Sequence, residues 1–370
     1  MRVALVHDWL TGMRGGEKVL DALCEICPEA DLFTLLHVRG SVSARIEQRR
    51  IHTSFVQRLP HAARAYRWYL PLFPAAIEQF DLDGYDLVIS SSHCVAKSAI
   101  RRGGARHISY CHSPMRYAWD QFEAYFGPAR AGAFASRWVY RPLLARLARW
   151  DAATAHRVDR FVANSRYVAG RIRRYYNRQA TIVYPPADTA FFQPGRTPPG
   201  SHFLIVSALV PYKRIDLAID ACARVGARLR IVGDGPERPA LERRSGPHVE
   251  FVGPAAGDRL REEYRCAAAV LLPGEEDFGI VPVEAQACGR PVVALGRGGA
   301  LDTVVDGETG VFASEPTVDA LAAALERFGR TTFDPARIRR QAERFSRERH
   351  VQEMTRVIEE TLAAPAGYRW

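Results

Sequence analysis

The chain has 370 residues, 47% apolar and 25% charged, a balance that suits folded globular domains and excludes a disordered polymer. No apolar run approaches the roughly 20 residues needed to span a bilayer, and the length suits two domains rather than one core. The net charge of +10 is uneven: residues 1–184 carry 27 Lys and Arg against 15 Asp and Glu, a surplus of +12, and the remainder sums to −2.

From the start, Val3 to His7 reads as a buried strand, and Met1 to Asp8 turns polar too soon for a signal peptide. The expected location is therefore the cytoplasm. A loop from Asp8 to Gly16 precedes a helix over about Glu17 to Cys27. Cys24 and Cys27 share one face of that helix with Leu20 and Leu23, which favours core packing over redox chemistry. The seven cysteines are odd in number and scattered, so they form no disulfide framework. Residues 49–80 interleave Arg49, Arg50, His52, Phe55, Arg58, Arg64, Tyr66, Arg67, Trp68, Tyr69 and Phe73, a mixture suited to an anionic membrane surface or to a basic face over an aromatic core. No nucleic-acid motif accompanies the basic charge, so no nucleic-acid partner is expected.

Further short strands follow at Asp86–Ser90, His107–Cys111 and Arg160–Ala163, separated by helical stretches that include Ala131 to His156. Asn164 or Ser165 is placed to cap the next helix. This alternation argues a doubly wound parallel sheet. Residues 185–200 hold five prolines and read as a linker. Beyond it the alternation restarts: strand Phe203–Ser207, helix Asp216–Val225, and strands Leu229–Val232, Val249–Val252, Val270–Leu272 and Pro291–Ala294. A last helix spans about Arg347 to Leu362. The expected fold class is α/β, with two doubly wound Rossmann-like domains: 1–184, and 201–346.

Residues 274–284 carry the most chemistry: Gly-Glu-Glu-Asp-Phe-Gly-Ile-Val-Pro-Val-Glu. They follow the apolar run Ala269 to Pro273, and a helix is expected from about Val283 to Cys288, stopped by Gly289. Glu276 on the loop and Glu284 in the helix should then face the crevice at the strands' carboxyl ends, where open α/β sheets bind ligands. Carboxylates there accept hydrogen bonds from sugar hydroxyls, and amides at a helix start favour phosphate. Gly15-Gly16, flanked by Arg14 and Lys18, permits close approach of backbone amides to a diphosphate. Lys213 and Arg214 follow the first strand of the second half, and His112 ends the strand before Ser113. His93, after three serines, is a weaker candidate. Gly233-x-Gly235 lacks the third glycine of a dinucleotide fingerprint.

Together these residues resemble the paired-glutamate signature of retaining glycosyltransferases of the GT-B fold, family 4. The likeness runs through Gly15-Gly16, His112, Lys213, Gly233-Asp234-Gly235-Pro236-Glu237 and the two glutamates. It is most similar to bacterial mannosyltransferases that build O-antigen and exopolysaccharide repeats. The resemblance implies two domains facing a cleft: an acceptor-side domain 1–184 joined by the returning C-terminal helix, residues 347–370, and a donor-binding domain 201–346. It implies Lys213 at the leaving diphosphate, His112 beside the reacting sugar, Glu276 on sugar hydroxyls and Glu284 on ribose hydroxyls. Gly15, Gly16, Arg214, Val252, Gly253, Phe278, Gly279, Ile280 and Val281 would line the donor, while Arg116, Tyr117 and Trp119 could bind the acceptor. Ala208 stands where many members carry an arginine, and Arg214 could substitute.

The implied reaction moves a hexosyl group, mannose from GDP-mannose, to a lipid-linked saccharide at the inner face of the membrane. Configuration would be retained, and no metal or other cofactor would be needed. An epimerase or sugar phosphorylase on the same scaffold and a non-catalytic nucleotide-sugar-binding subunit are the competing readings.

Overall fold

A computed structural model describes residues 1–101, 103–128, 132–196, 198–365 and 367–370. Ala131, the expected start of the long helix, lies outside the described residues, as does Thr197 of the proline-rich segment. The chain divides into two compact units: Met1–Pro186 with Glu348–Trp370, and Ala187–Arg347.

The first unit is built on seven parallel strands: β1 (Val3–His7), β2 (Asp31–Thr34), β3 (Ile51–Thr53), β4 (Leu87–Ser92), β5 (Arg106–Cys111), β6 (Arg160–Ala163) and β7 (Ala180–Ile182). Their spatial order is β3-β2-β1-β4-β5-β6-β7. Because side chains alternate along a strand, β1 supplies both faces: Val3 and Leu5 enter one core cluster, Ala4 and Val6 the other. Strands β2, β3 and β7 escape the sequence reading: Ile51–Thr53 and Ala180–Ile182 are too short to display a period, and Asp31–Thr34 begins and ends on a polar residue.

The helix after β1 spans Gly15–Ile26, starting two residues earlier than expected. Glu17 draws it back: its Oε2 accepts the Arg14 amide at 3.0 Å, which ties the first turn to the residue before it. Cys24 and Cys27 are buried in the core beside Leu20 and Leu23. Ser165 caps helix Arg166–Tyr176 by accepting the Val168 amide at 3.1 Å. The stretch expected as one helix to His156 is broken by a π-helical turn at Ser136–Tyr140, with the α-helix proper at Arg141–Ala153.

The C-terminal helix, Arg347–Ala363, buries Met354, Val357 and Ile358 in the first unit's core. Each such burial contributes about 1.5–3 kcal/mol, enough to hold the helix there. Arg160 adds an ion pair to Glu360 at 2.8 Å.

The second unit holds six parallel strands: β8 (Phe203–Val206), β9 (Leu229–Val232), β10 (Val249–Gly253), β11 (Ala269–Leu272), β12 (Val292–Leu295) and β13 (Gly310–Ala313). Their order is β10-β9-β8-β11-β12-β13. The proline-rich segment expected as a linker is folded onto this unit. Phe192 is buried against Tyr264 with ring centroids 5.5 Å apart, and its carbonyl accepts from Arg339 at 3.2 Å. Both sheets reverse strand order at one point, β1/β4 in the first and β8/β11 in the second. Ligands bind open α/β sheets outside the carboxyl ends at such a point.

Candidate functional site

In the second unit, the loop after β8 enters a turn at Pro211–Lys213, and Arg214 adopts a left-handed backbone with φ of 52°. The loop after β11 runs from Pro273 to Gly279. Gly274 lets the two loops touch: a Cβ there would lie 2.6 Å from the Tyr212 carbonyl oxygen and 2.8 Å from that of Lys213. The consequence is an ion pair between the Lys213 ammonium and a Glu276 carboxylate oxygen, both largely shielded from solvent. The loop after β12 supports Glu276 from its other side, where its carbonyl accepts the Gly299 amide at 2.8 Å.

Gly279, at φ of 83°, turns the chain into helix Ile280–Ala287, which begins three residues before the expected Val283. Its first amides, those of Ile280 and Val281, have no intrahelical acceptor by the geometry of any helix and carry the positive end of its dipole. Phe278 is committed to packing, its ring 5.6 Å from that of Phe345. Glu284 is only 4% exposed, and its Oε2 accepts from the Tyr264 hydroxyl at 2.9 Å. Burial and this carboxylate together push the Tyr264 phenol well above its ordinary pKa.

Arg214 pairs with Asp216 at 3.2 Å, so its guanidinium is oriented along helix Ile215–Val225. Gly233 and Gly253 are joined by an amide–carbonyl bond of 2.9 Å, which links the ends of β9 and β10 near Val252.

In the first unit, the carboxyl ends of β1, β4 and β5 gather three histidines. Ser91 Oγ lies 3.1 Å from His7 Nδ1 and 2.8 Å from His112 Nε2. His7 Nε2 faces Glu17 Oε1 at 3.8 Å. A Cβ on Gly16 would lie 3.5 Å from His7 Cε1 and 3.6 Å from His112 Nε2, so the glycine seats the loop backbone over both rings. Gly15 and Gly16 thus lie in the helix's first turn. His93 Nδ1 pairs with Asp8 Oδ2 at 3.2 Å. Asp8, wholly buried, also accepts the backbone amides of His93, Cys94, Val95 and Ala96 at 2.7–2.9 Å, which fixes the turn after β4. Burial lowers the His112 pKa well below the usual histidine value, and the neighbouring His93 and His7 lower it further. His112 is therefore neutral at physiological pH.

The expected acceptor residues fare differently. The Trp119 indole donates to Asp151 at 2.8 Å and its ring stacks on Tyr175 at 4.6 Å. Asp151 also pairs with the buried Lys97 at 2.9 Å and accepts from Tyr176 at 2.8 Å. The Tyr117 hydroxyl lies 2.8 Å from Cys94 Sγ. Both aromatic residues therefore use their polar atoms inside the fold, while Arg116 is half-buried at the start of a short helix, Arg116–Trp119.

The sequence reading omitted His7, Asp8, Glu17 and Ser91 in the first unit, and Tyr264 and Gly298-Gly299 in the second. His7-Asp8 at the end of the first strand, and a glutamate at capping-box spacing from Arg14, were the available signals.

Residues 13–191 match the Glycosyltransferase Family 4 domain, and residues 200–330 match Glycosyl transferases group 1. Both are glycosyltransferase domains. The first match covers Glu17, Ser91, His93 and His112, with His7 just before its start, and the second covers the Lys213–Glu276 pair. Among curated relatives, these glycosyltransferase domains are similar to a D-inositol 3-phosphate glycosyltransferase of Rhodococcus jostii (strain RHA1), 32% identical over 225 residues, 51% of this chain and 50% of that protein. The Kribbella flavida protein of the same description is 36% identical over 200 residues, 45% of this chain and 47% of its own length. The chain spans about half the length of the curated relatives it matches.

Among solved structures, the lipopolysaccharide outer core galactosyltransferase WaaB has a TM-score of 0.69 at 17% identity, covering 97% of this chain and 99% of its own. HepE of Anabaena, solved in complex with UDP-glucose, has a TM-score of 0.71 at 18% identity, with coverage of 97% and 99%. At such identities the likeness establishes the GT-B architecture.

Proposed function

We propose that this protein is a retaining glycosyltransferase that moves a hexosyl group from a nucleotide-sugar to a hydroxyl of a lipid-linked saccharide. The ion pair of Lys213 and Glu276 at the second unit's switch point carries this reading. A nucleotide-sugar brings an anionic diphosphate and a polyhydroxyl ring, and the site offers a cation, a carboxylate and free helix amides. As the glycosidic bond breaks, negative charge builds on the diphosphate. Lys213, with Arg214 and the amides of Ile280 and Val281, stabilises that charge more in the transition state than before it. These groups act without a metal in this reading. Glu276 takes hydroxyls of the transferred sugar, and Glu284, steadied by Tyr264, those of the ribose. Attack would come from the face the diphosphate leaves, which preserves configuration. The first unit supplies the acceptor-side groups around His112.

The sequence resemblance supports GDP-mannose as donor, while the galactosyltransferase WaaB and the UDP-glucose complex of HepE make UDP-hexoses the competitors. Thermal shift and slow donor hydrolysis with GDP-mannose, GDP-fucose, UDP-glucose and UDP-N-acetylglucosamine, each with and without EDTA, decide among them. GDP-mannose is expected to raise the melting temperature by several degrees with EDTA present, and Glu284→Ala to abolish the rise. A rise in melting temperature with no donor hydrolysis would favour the non-catalytic nucleotide-sugar-binding subunit, conversion of the donor to another nucleotide-sugar with no acceptor present an epimerase, and silence toward every donor would overturn the donor site.

A membrane-borne acceptor is supported by the first unit's surface. Tyr66 and Phe73 belong to the core, but Trp68 is 85% exposed beside exposed Arg64 and Arg67. Phe134 and Trp138, 75% and 63% exposed, add aromatic surface, with the Arg137 guanidinium 5.1 Å from the Trp138 ring centroid. Among the described residues no helix is long and apolar enough to cross a membrane. Aromatic rings flanked by arginines suit a headgroup interface. The protein should co-sediment with vesicles containing anionic lipid, lose binding as salt rises, and bind several-fold more weakly as Trp68→Ala/Trp138→Ala. Equal partition onto neutral vesicles would sink the electrostatic part of the idea.

A further inference from the structure

We infer that Glu17 sets, through His7 and Ser91, which ring nitrogen of His112 carries the proton, leaving His112 with a bare lone pair at Nδ1. The four side chains form one line: Glu17 Oε1 to His7 Nε2 at 3.8 Å, His7 Nδ1 to Ser91 Oγ at 3.1 Å, and Ser91 Oγ to His112 Nε2 at 2.8 Å. His7 is wholly buried and Glu17 nearly so, and His7 Nε2 has no hydrogen-bond partner, so the carboxylate opposite acts on it through its field.

A hydroxyl owns one proton. Set between two ring nitrogens, it can donate to at most one of them, so at least one ring must donate to its oxygen. The tautomers of His7 and His112 are therefore linked: three arrangements keep both hydrogen bonds, and only one of them leaves the His7 proton on Nε2. Burial raises the pKa of Glu17, but its His7 partner and the charge of His93 outweigh this and the net shift is downward, so the carboxylate is ionised. A negative oxygen facing His7 Nε2 favours a proton on that nitrogen, since the alternative aims a lone pair at it. His7 Nδ1 then accepts from Ser91, Ser91 accepts from His112 Nε2–H, and His112 Nδ1 is left as an acceptor. The other groups near the line are Asp8 on His93, the Arg14 amide on Glu17, and His350, whose ring meets that of Tyr110 edge-on.

The chemistry follows from the tautomer. A neutral His112 with a bare Nδ1 takes the proton of a hydroxyl donor and repels a phosphate oxygen. It would recognise a sugar hydroxyl rather than the diphosphate. Glu17, His7 and Ser91 are positioning residues that act through His112. Because Glu17 also caps the helix that starts at Gly15, the glycine loop and the histidine tautomer share one carboxylate.

The role in transfer rests on the proposed function, but the protonation pattern does not. Full-length protein labelled with 15N-histidine and assigned with His112→Gln reports each ring nitrogen without any catalysis. Wild type should show His112 protonated at Nε2 and bare at Nδ1. Ser91→Ala should leave His112 a mixture of tautomers, Ser91→Thr should restore the wild-type pattern by returning the hydroxyl, and Glu17→Gln should shift both His7 and His112. A His112 protonated at Nδ1 in wild type, as a cationic His7 would produce, overturns the inference. So does a His112 pattern unmoved in Ser91→Ala or Glu17→Gln. A correct tautomer in a protein that binds no nucleotide-sugar would instead count against the proposed function alone.

Discussion

Lys213→Ala and Glu276→Ala should each lower turnover with the accepted donor by about 100-fold, and the double replacement should cost little more than either alone. One removed electrostatic stabiliser typically costs about 10²–10³ in rate, or roughly 2.7–4 kcal/mol. The reason to expect non-additivity is structural. The ammonium and the carboxylate hold each other in place, so removing either leaves its partner charged, shielded and free to turn away. Residues that act as a unit fail together. In the proposed reaction the diphosphate draws off the ammonium while sugar hydroxyls take over the carboxylate, so a site missing one charge is already unset for the other. Initial rates for the two single variants and the double variant complete the cycle. A double variant slower by the product of the two losses, about 10⁴, would mean that they act independently. An unchanged rate in Glu276→Ala would remove that residue from the mechanism.

Gly299→Ala should destabilise the second unit and abolish donor binding together. A Cβ on Gly299 would lie 2.3 Å from Phe278 Cα and 2.4 Å from the Phe278 carbonyl oxygen, both rigid backbone atoms. The Gly299 backbone is otherwise ordinary, at φ of −68°, so the conflict is one of space alone. Overpacking of this kind costs about 1–3 kcal/mol, and the upper part of that range is expected because no flexible side chain can yield. For a unit of this size the loss corresponds to roughly 5–10 °C in melting temperature. The displaced loop carries Glu276 and Gly279, so the damage reaches the donor site as well. Gly329→Ala is the control: nothing lies within 4 Å of its would-be Cβ, and at the end of helix Val318–Gly329 it should be neutral or slightly stabilising. Calorimetry of the two variants compares them directly. Equal melting temperatures would show that the loop after β11 gives way easily.

These two expectations rest on features of unequal visibility in the chain. The strand before Glu276 was legible because Ala269 to Leu272 is continuously apolar, as a strand covered on both faces must be. The paired glutamates and Lys213 were legible as residues at strand ends. Their contact was not: Lys213 and Glu276 are 63 positions apart, and their meeting depends on Gly274 admitting one loop against another. The contacts of Trp119 and Tyr117, both expected near the acceptor, were not legible either: the buried Lys97–Asp151 pair recruits the Trp119 indole and Cys94 faces the Tyr117 hydroxyl. The packing of the proline-rich segment was hidden for a similar reason, since Phe192 within it has a partner, Tyr264, only once the second unit has folded.

Order along the chain follows from local chemistry. Runs of Val, Ile and Leu make buried strands, Ser165 caps its helix, and Gly279 and Gly289 bracket another with positive φ. Those preferences act within a few residues, and they are why two doubly wound domains and their glycosyltransferase signature could be read directly. Which side chains share a site is settled only by sheet order. Placing β4 beside β1 brings Ser91 to His7 across 84 positions, and β5 then delivers His112 to the same hydroxyl. Contacts at such separations leave no period in the sequence, because strand pairing and burial impose them after the elements have formed.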